Sequence, residues 1–168
     1  YLSSGNSGGC RPKCLYHDVD GQWLVKFRHT YDPMDMGVQE YHCNQLARRC
    51  GIDVPDFKLL NDTYFASKRF DISSDGRPLH MATAAALLNE NIYPPKTDYK
   101  VLLALTGYIT QSPAEVEQMF RRMVFNVLIG NKDDHAKNFS FVHRDDGWHL
   151  APAYDLTRCA QGYNDEHA

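Results

Sequence analysis

A cluster of polar residues near the C-terminal end of the sequence has the residue types and the spacing of a phosphoryl-transfer site. Asp133 and Asn138 stand in a D-x-x-x-x-N relation, and Asp155 follows in an A-Y-D-L segment. Phosphoryl transfer needs groups that position two oxygens in line and neutralise negative charge. Carboxylate and amide oxygens also suit the hard Mg²⁺ ion. The spacing predicts Asp133 beside an acceptor hydroxyl and Asn138 and Asp155 as metal ligands.

The same loop has a second interpretation. Asn, Asp, Lys and Gly are common turn residues, so the segment could be a polar turn between a helix and a strand. His135 and Lys137 add hydrogen-bond donors that phosphate oxygens could accept. The D-x-x-x-x-N spacing alone leaves both interpretations open.

The N-terminal part of the sequence offers two further candidates for phosphate binding. Residues 3–13 are rich in Gly and Ser, and such backbone amides can cradle phosphate, although flexible termini have the same composition. Asp20 and Gly21 form a D-G turn between two apolar runs, which predicts a β-hairpin with Lys26 on its second strand. Lys26 is either a phosphate ligand or a solvated strand lysine.

A helix is predicted between residues 35 and 49, and it ends before Gly51. Glu40 in this helix could pair with Lys26 and hold the lysine against phosphate. Alternatively, Glu40 complements the positive N-terminus of its own helix, an effect of about 0.3–1 kcal/mol that needs no function. Strand-like runs at 57–60 and 64–70 predict a second hairpin.

After residue 80 the apolar spacing becomes helical, and it predicts helices over 81–88, 99–109 and 112–129. The last helix begins with an N-cap Ser112, Pro113 at its first position and a capping-box Glu115. Gly130 ends this helix and begins the acidic loop, residues 130–139, which contains Asp133 and Asn138.

A short hairpin follows the acidic loop. Strand-like runs at 139–142 and 148–150 flank a polar turn. Asn138 and Asp155 stand at the two outer ends of this hairpin, so they can approach each other in space.

Composition sets limits on the class of protein. A hydrophobic fraction of 43% and a charged fraction of 23% are ordinary for a globular domain. A net charge of −3 lacks the basicity of a nucleic-acid binder, and no apolar run approaches the ~20 residues that span a bilayer. The 5 cysteines have no C-x-x-C spacing, which indicates reduced thiols and a cytoplasmic location rather than a disulfide or zinc framework.

These motifs resemble the HipA family of bacterial serine/threonine protein kinases, the toxins of toxin–antitoxin modules. The resemblance spans nearly the whole chain and is most specific in the D-x-H-A-K-N-F-S segment at 133–140 and the A-Y-D-L segment at 153–156. It also rests on the S-G-G-C-R-P-K run at 7–13, the Y-F-A-S-K-R-F-D run at 64–71 and the helix at 120–130.

The resemblance implies an α+β, protein-kinase-like two-lobe fold. Residues 1–71 would form a small β-rich N-lobe, and residues 72–168 would form part of a mainly helical C-lobe. The chain opens at Tyr1 without an initiator methionine and is shorter than family kinases, so we expect a truncated C-lobe. Missing segments or a partner chain would then cover apolar faces of its helices.

The resemblance also implies residue roles. Asp133 matches the catalytic aspartate, Asn138 and Asp155 match the metal ligands, and Lys26 matches the lysine that holds the nucleotide phosphates. Asp134 stands where several relatives have glycine, and we expect it either to lower the local potential or to face solvent. The implied nucleotide contacts further comprise Gly8, Gly9, Cys10, Arg11, Pro12, Lys13, Lys68, Arg69, Phe70, His135, Lys137 and Asn138, and the candidates for autophosphorylation are Ser7 and Ser4.

The function implied is transfer of the ATP γ-phosphate, with Mg²⁺, to a serine or threonine of a protein. The resemblance also implies a translation-related target, such as an aminoacyl-tRNA synthetase, and a helix-turn-helix antitoxin as the partner. We expect no direct contact with nucleic acid or membrane. Two alternatives stay open: a small-molecule phosphotransferase, and a non-catalytic module that docks a DNA-binding antitoxin.

Overall fold

The computed structural model describes residues 11–89 and 97–158. Within them, a four-stranded antiparallel sheet and one helix are followed by helices and a three-stranded antiparallel sheet. This mixed architecture is α+β, as predicted. In chain order the elements are β1 Lys13–Asp18, β2 Gly21–Lys26, α1 Met36–Arg49, β3 Phe57–Leu60, β4 Tyr64–Lys68, β5 Met81–Thr83, α2 Ala84–Leu87, α3 Tyr99–Thr110, α4 Pro113–Ile129, a 3₁₀ turn Ala136–Asn138, β6 Ser140–Arg144 and β7 Gly147–Leu150.

The first sheet has the strand order β1-β2-β4-β3 and places Lys26 at the end of a central strand. The predicted D-G hairpin is confirmed: Lys13 pairs with Lys26 and Asp18 with Gly21, whose φ of +124° suits glycine at the turn. Trp23, Val25 and Ala66 form a buried cluster in this sheet. The predicted second hairpin is also present, although its second strand ends at Lys68 rather than at residue 70.

Helix α1 lies close to the turn between β3 and β4 because it has a glycine at the contact. A Cβ atom at Gly37 would lie 2.2 Å from the carbonyl oxygen of Thr63 and 2.9 Å from the amide nitrogen of Phe65. Both neighbours are backbone atoms, which cannot rotate away as a side chain can. Gly37 therefore sets the distance between α1 and the sheet, and with it the position of Glu40 on the same helix.

Replacing Gly37 by alanine is expected to destabilise the protein by about 1–3 kcal/mol, the usual cost of overpacking. The alanine methyl would push α1 away from the hairpin, and this displacement outweighs the gain in helix propensity. Chemical denaturation measures the change. Gly107→Ala is the matched control, because a Cβ there meets only the side chain of Val116 at 3.4 Å. Equal stability of the two variants would refute this account of Gly37.

The C-terminal part packs α3 and α4 against the second sheet, whose strand order is β5-β6-β7. Leu102, Met119, Phe139 and Phe141 are members of its buried core cluster. The predicted start of α4 is confirmed, since Ser112 accepts a hydrogen bond from the Glu115 amide at 3.4 Å. Gly130 ends the helix with a φ of +69°. None of the helices in the described ranges is long and apolar enough to cross a bilayer.

Two predicted features of this part are wrong. Residues 81–83 are not helical but form β5, in which Met81 pairs with Val142, and only Ala84–Leu87 is helix. Strand pairing with β6 overrides the helix propensity of the alanines. The capping box is also absent: the Glu115 carboxylate accepts a hydrogen bond from the Leu150 amide at 2.6 Å. The outer edge of β7 would otherwise leave this amide without a partner.

His149 links the same carboxylate to the turn of the β6–β7 hairpin. Its Nδ1 lies 2.9 Å from Glu115 and its Nε2 lies 2.9 Å from Asp146. These two hydrogen bonds raise the pKa of His149 above its ordinary value of 6.5.

We expect His149 to make stability depend on pH. Because the folded pKa of His149 is raised, its contribution is complete below the unfolded value near 6.5 and is lost as pH rises through the folded value. The effect is small, about 0.2–1 kcal/mol for the partly exposed contact with Glu115. Unfolding of wild type and His149→Gln between pH 5 and pH 9 measures it, and a stability difference that grows with pH would contradict it.

A third cluster of buried residues joins the two parts of the chain. Ala47 and Ile52 pack with Phe125, Ala153 and Leu156. Gln118 of α4 reinforces this junction: its Oε1 accepts from the Asp53 amide at 3.0 Å and its Nε2 donates to the Gly51 carbonyl at 2.9 Å. The carbonyl of Asp53 in turn accepts from the Ala153 amide at 2.8 Å. The segment that leads to Asp155 is therefore held against the connection between α1 and β3.

Candidate active site

Lys26 stands at the centre of the candidate site and contacts two carboxylates. Its Nζ bonds to Glu40 from α1 and to Asp155 from the segment after β7. This contact confirms the pairing of Glu40 with Lys26, one of the two roles considered for Glu40. Glu40 is only 2% exposed. Burial alone would lower the pKa of Lys26, but the attraction of Asp155 and Glu40 outweighs it and raises the pKa above its ordinary value. Lys26 is thus a fixed cation.

Residues 11–13 lie beside this lysine. Lys13 is directly opposite Lys26 in the β1–β2 pairing, and burial lowers its pKa although Asp155 attracts its charge. Arg11 is held by Asp32, with Nε 2.9 Å from Oδ2 and Nη2 3.3 Å from Oδ1. The carbonyl of Pro12 accepts a hydrogen bond from the Phe27 amide at 2.9 Å. The other predicted residues of this run, namely Gly8, Gly9, Cys10 and the serines Ser4 and Ser7, lie outside the described residues.

Lys68, Arg69 and Phe70, which the family resemblance implies as the adenine-binding hinge, differ in their surroundings. Arg69 forms a two-pronged ion pair with Asp71, at 2.9 and 2.7 Å, and its Nη1 donates to Gln22 of β2 at 3.3 Å, so its guanidinium is already engaged by protein groups. Lys68 is the last residue of β4 and pairs with Trp23. The ring of Phe70 stacks on the ring of Tyr154, with 5.9 Å between centroids. The hinge therefore contacts the residue that immediately precedes Asp155.

The acidic loop, residues 130–139, presents Asp133 with an unbonded oxygen. Oδ1 of Asp133 is buried without a hydrogen-bond partner among the described residues, and Nε2 of His135 is 3.5 Å away. Burial raises the pKa of Asp133, and the charge of Asp155 acts in the same direction although His135 opposes it. A carboxylate with a raised pKa and an open oxygen suits proton acceptance. The side chain of Lys137 is exposed.

Asn138 and Asp155 are brought together, as their positions at the ends of the β6–β7 hairpin predicted. Both line one small cavity beneath the acidic loop. The side-chain nitrogen of Asn138 donates to the Asp133 carbonyl at 2.6 Å, and this bond leaves its side-chain oxygen free to face a metal ion. Asp155 has a φ of +55°, a strained conformation for a residue other than glycine. Such strain is typical of functional positions.

The pair fits a magnesium ion in its chemistry. The described residues contain no group of three His, Cys, Asp or Glu side chains that could hold a metal. Mg²⁺ does not need such a group, because it keeps several waters and relies on one or two carboxylates together with phosphate oxygens. The attraction and hydrogen bond of Lys26 outweigh burial and lower the pKa of Asp155, so this carboxylate is ionised at neutral pH. The amide oxygen of Asn138 completes an all-oxygen set.

Three polar residues near the loop were not assigned to the site from the sequence. Asp134 is 3% exposed, and its Oδ2 accepts a hydrogen bond from the Tyr99 hydroxyl at 2.6 Å. The expectation that Asp134 could face solvent is therefore wrong. Asn126 and Asn131 are buried beside it and bond to each other at 3.1 Å. The signal available in the sequence was Asn126, a polar residue within the apolar stripe of α4.

The solved structures that resemble this fold include a HipA protein and the kinase CtkA. The first is HipA of Shewanella oneidensis MR-1, in a toxin–antitoxin complex with HipB and operator DNA, with a TM-score of 0.73 and 20% identity over 92% of this chain and 45% of that one. The second is the Helicobacter pylori proinflammatory kinase CtkA, with a TM-score of 0.64 and 20% identity over 88% of this chain and 55% of that one. The predicted kinase-like two-lobe fold is confirmed; the lobe boundary at residue 71 stays a prediction.

The curated proteins that match in sequence include two named as putative kinases. "Putative kinase Y4dM" of Sinorhizobium fredii is 31% identical over 156 residues, which are 81% of this chain and 37% of that protein. A "Putative kinase" of Haemophilus influenzae is 26% identical over 154 residues, or 81% of this chain and 45% of that protein. The chain thus spans less than half the length of these relatives.

The family model described as "HipA-like C-terminal domain" matches residues 5–168. This match covers nearly the whole sequence, including the acidic loop and the A-Y-D-L segment. The chain therefore belongs to the family of the HipA-like C-terminal domain.

Proposed function

We propose that this chain carries the catalytic centre of a kinase that transfers the ATP γ-phosphate to a serine or threonine of a protein. The observation that carries the proposal is the contact of Lys26 with both Glu40 and Asp155, beside a cavity that Asp155 shares with Asn138. It joins a buried cation, fixed by a helix glutamate, to the two candidate ligands of Mg²⁺. A polar turn with no function would not require this long-range arrangement.

The roles of the residues follow from their surroundings. Lys26, with Lys13 opposite, provides positive charge for phosphate oxygens. Asn138 and Asp155 would hold Mg²⁺, which when bound neutralises charge on the phosphates. Asp133 orients the acceptor hydroxyl and accepts its proton through the unbonded Oδ1. The protein contributes mainly position and charge, because this transfer needs little covalent work by side chains.

The relatives support further parts of the proposal. Two matching proteins carry kinase names, and the Shewanella HipA structure contains HipB and operator DNA. By analogy with HipB in that complex, we propose an antitoxin with a helix-turn-helix domain as the partner. We propose that the two proteins act in the cytoplasm. A translation-related substrate, such as an aminoacyl-tRNA synthetase, and autophosphorylation at Ser7 or Ser4 belong to the same proposal.

The test uses the full-length protein that contains this chain. It is incubated with γ-labelled ATP and Mg²⁺ beside its Asp133→Asn variant, and phosphorylated sites are mapped. Label on a protein serine or threonine that disappears in the variant is the expected result. Transfer only to small hydroxylated acceptors would replace the proposal with a small-molecule phosphotransferase. Absence of both label and ATP binding would replace it with a non-catalytic docking module.

A further inference from the structure

A single buried carboxamide contacts both segments that carry the candidate catalytic groups. Asn131 is 2% exposed and lies just after the end of α4. Its Oδ1 accepts a hydrogen bond from the backbone amide of Asp133 at 3.3 Å. Its Nδ2 donates to the backbone carbonyl of Asp155 at 3.5 Å. One side chain therefore spans from the loop that holds Asp133 to the segment that holds Asp155.

Asn131 is itself anchored to the helices. Its Nδ2 also donates to Oδ1 of Asn126 at 3.1 Å, and its backbone amide donates to the Asn126 carbonyl at 2.9 Å. The other side-chain atom of Asn126, Nδ2, donates to the Tyr99 hydroxyl at 2.9 Å. The hydroxyl of Tyr99 donates onward to Asp134 at 2.6 Å. The bonds thus run from α3 through α4 to the acidic loop.

We propose that Asn131 is a positioning residue that fixes the separation of Asp133 and Asp155. The inference rests on the proposed function, since it assigns Asn131 a part in the same phosphoryl transfer. The carboxamide offers an acceptor to Asp133 and, on a separate atom, a donor to Asp155 within one short side chain. An aspartate at this position would keep the acceptor and lose the donor. An alanine would lose both.

The expected effect is on the rate rather than on substrate binding. A displacement of about 1 Å between reacting groups can cost about 10²-fold in rate. We therefore expect Asn131→Ala to lower kcat by about 10²-fold while KM for ATP changes by less than about threefold. The Mg²⁺ concentration at half-maximal rate should rise, because the backbone of Asp155 is no longer held.

A measurement without ATP or metal tests the geometry directly. Hydrogen exchange of the Asp133 amide should become about tenfold faster in Asn131→Ala, as expected for loss of one hydrogen bond. Amides within α4 should keep their exchange rates. Asn131→Asp should leave exchange at Asp133 near the wild-type rate, because the acceptor remains, and should still lower kcat.

The control is Thr106→Val. Thr106 is fully buried in α3, and its hydroxyl donates to the Leu102 carbonyl at 2.7 Å without touching the site. This variant should lose stability and keep kcat. If Asn131→Ala and Asn131→Asp lose stability but keep the wild-type kcat and Mg²⁺ dependence, Asn131 is merely structural and the inference fails.

The outcome also separates this inference from the proposed function. A wild-type protein that transfers no phosphate overturns the proposed function and, with it, the catalytic part of this inference. Unchanged exchange at Asp133 in Asn131→Ala overturns the contact itself, whatever the activity. If Asn131→Ala does not fold, Asn131→Asp, which has nearly the same shape, still decides through kcat and Mg²⁺ dependence.

Discussion

Replacing Asp133 by asparagine is expected to lower the rate of phosphoryl transfer by about 10²–10⁴-fold, the usual contribution of a positioned proton acceptor. The substitution keeps the size and shape of the side chain and removes its basic oxygen. Because Oδ1 of Asp133 accepts no hydrogen bond from the described residues, the substitution breaks no hydrogen bond of that atom and weakens only its ionic contact with His135, whose Nε2 is 3.5 Å away. The initial rate of transfer of labelled phosphate by the full-length protein measures the effect, and thermal unfolding checks that the fold is intact.

The matched control for Asp133 is Asp145→Asn. Asp145 lies on the exposed turn between β6 and β7, at the end of the hairpin opposite Asn138 and Asp155. The substitution is chemically the same but is remote from the site. It should transfer phosphate at the wild-type rate. A transfer rate for Asp133→Asn within about threefold of wild type would remove Asp133 from the role of proton acceptor.

Replacing Lys26 by methionine is expected to abolish transfer and also to destabilise the fold by about 3–5 kcal/mol. The second effect arises because Glu40, at 2% exposure, would be left as a buried carboxylate without the cation that contacts it. Asp155 would lose the same partner. Chemical denaturation gives the loss in the free energy of unfolding, and nucleotide binding gives the loss at the site.

A double variant separates the two consequences of losing Lys26. The double variant Lys26→Met, Glu40→Gln removes the buried charge that has lost its partner. It should recover most of the free energy of unfolding, while phosphoryl transfer stays absent. Lys58→Met is the matched single control, since Lys58 also pairs with a carboxylate, that of Asp18, but is 30% exposed and should matter much less. Equal losses in Lys26→Met and Lys58→Met would contradict a special role for burial around Lys26.

Local signals in the sequence predicted most of the fold. The D-G turn before β2, the glycine after α1 and the Ser112 cap of α4 act on residues next to them, so their effects do not depend on the rest of the chain. Strand β5 was missed for the opposite reason. Its alanine-containing sequence favours a helix, and only pairing with β6, about sixty residues later in the chain, makes it a strand.

The same distinction applies to the candidate site. The spacing of Asp133 and Asn138 and the strand position of Lys26 could be predicted, because each is local in sequence. The contact of Lys26 with Glu40 was one of two open alternatives, and only packing of α1 decided it. The burial of Asp134 against Tyr99 and the contact of Asn131 with the Asp155 carbonyl join segments that are far apart in sequence, and the only hint of them was Asn126 within the apolar stripe of α4.

The hairpin of β6 and β7 makes the positions of the two candidate metal ligands, Asn138 and Asp155, independent of the length of the turn that joins its strands. The two strands pair from Phe141–Leu150 to Arg144–Gly147, and the Ala151 amide donates a further hydrogen bond to the Ser140 carbonyl at 2.9 Å. This pairing fixes the end of the hairpin from which Asn138 precedes β6 and Asp155 follows β7. The turn at 145–146 lies at the opposite end. Residues inserted there would lengthen the loop at little entropic cost and leave the ligands in place. This turn is therefore a natural position for a reporter peptide or a crosslinking handle in an active protein.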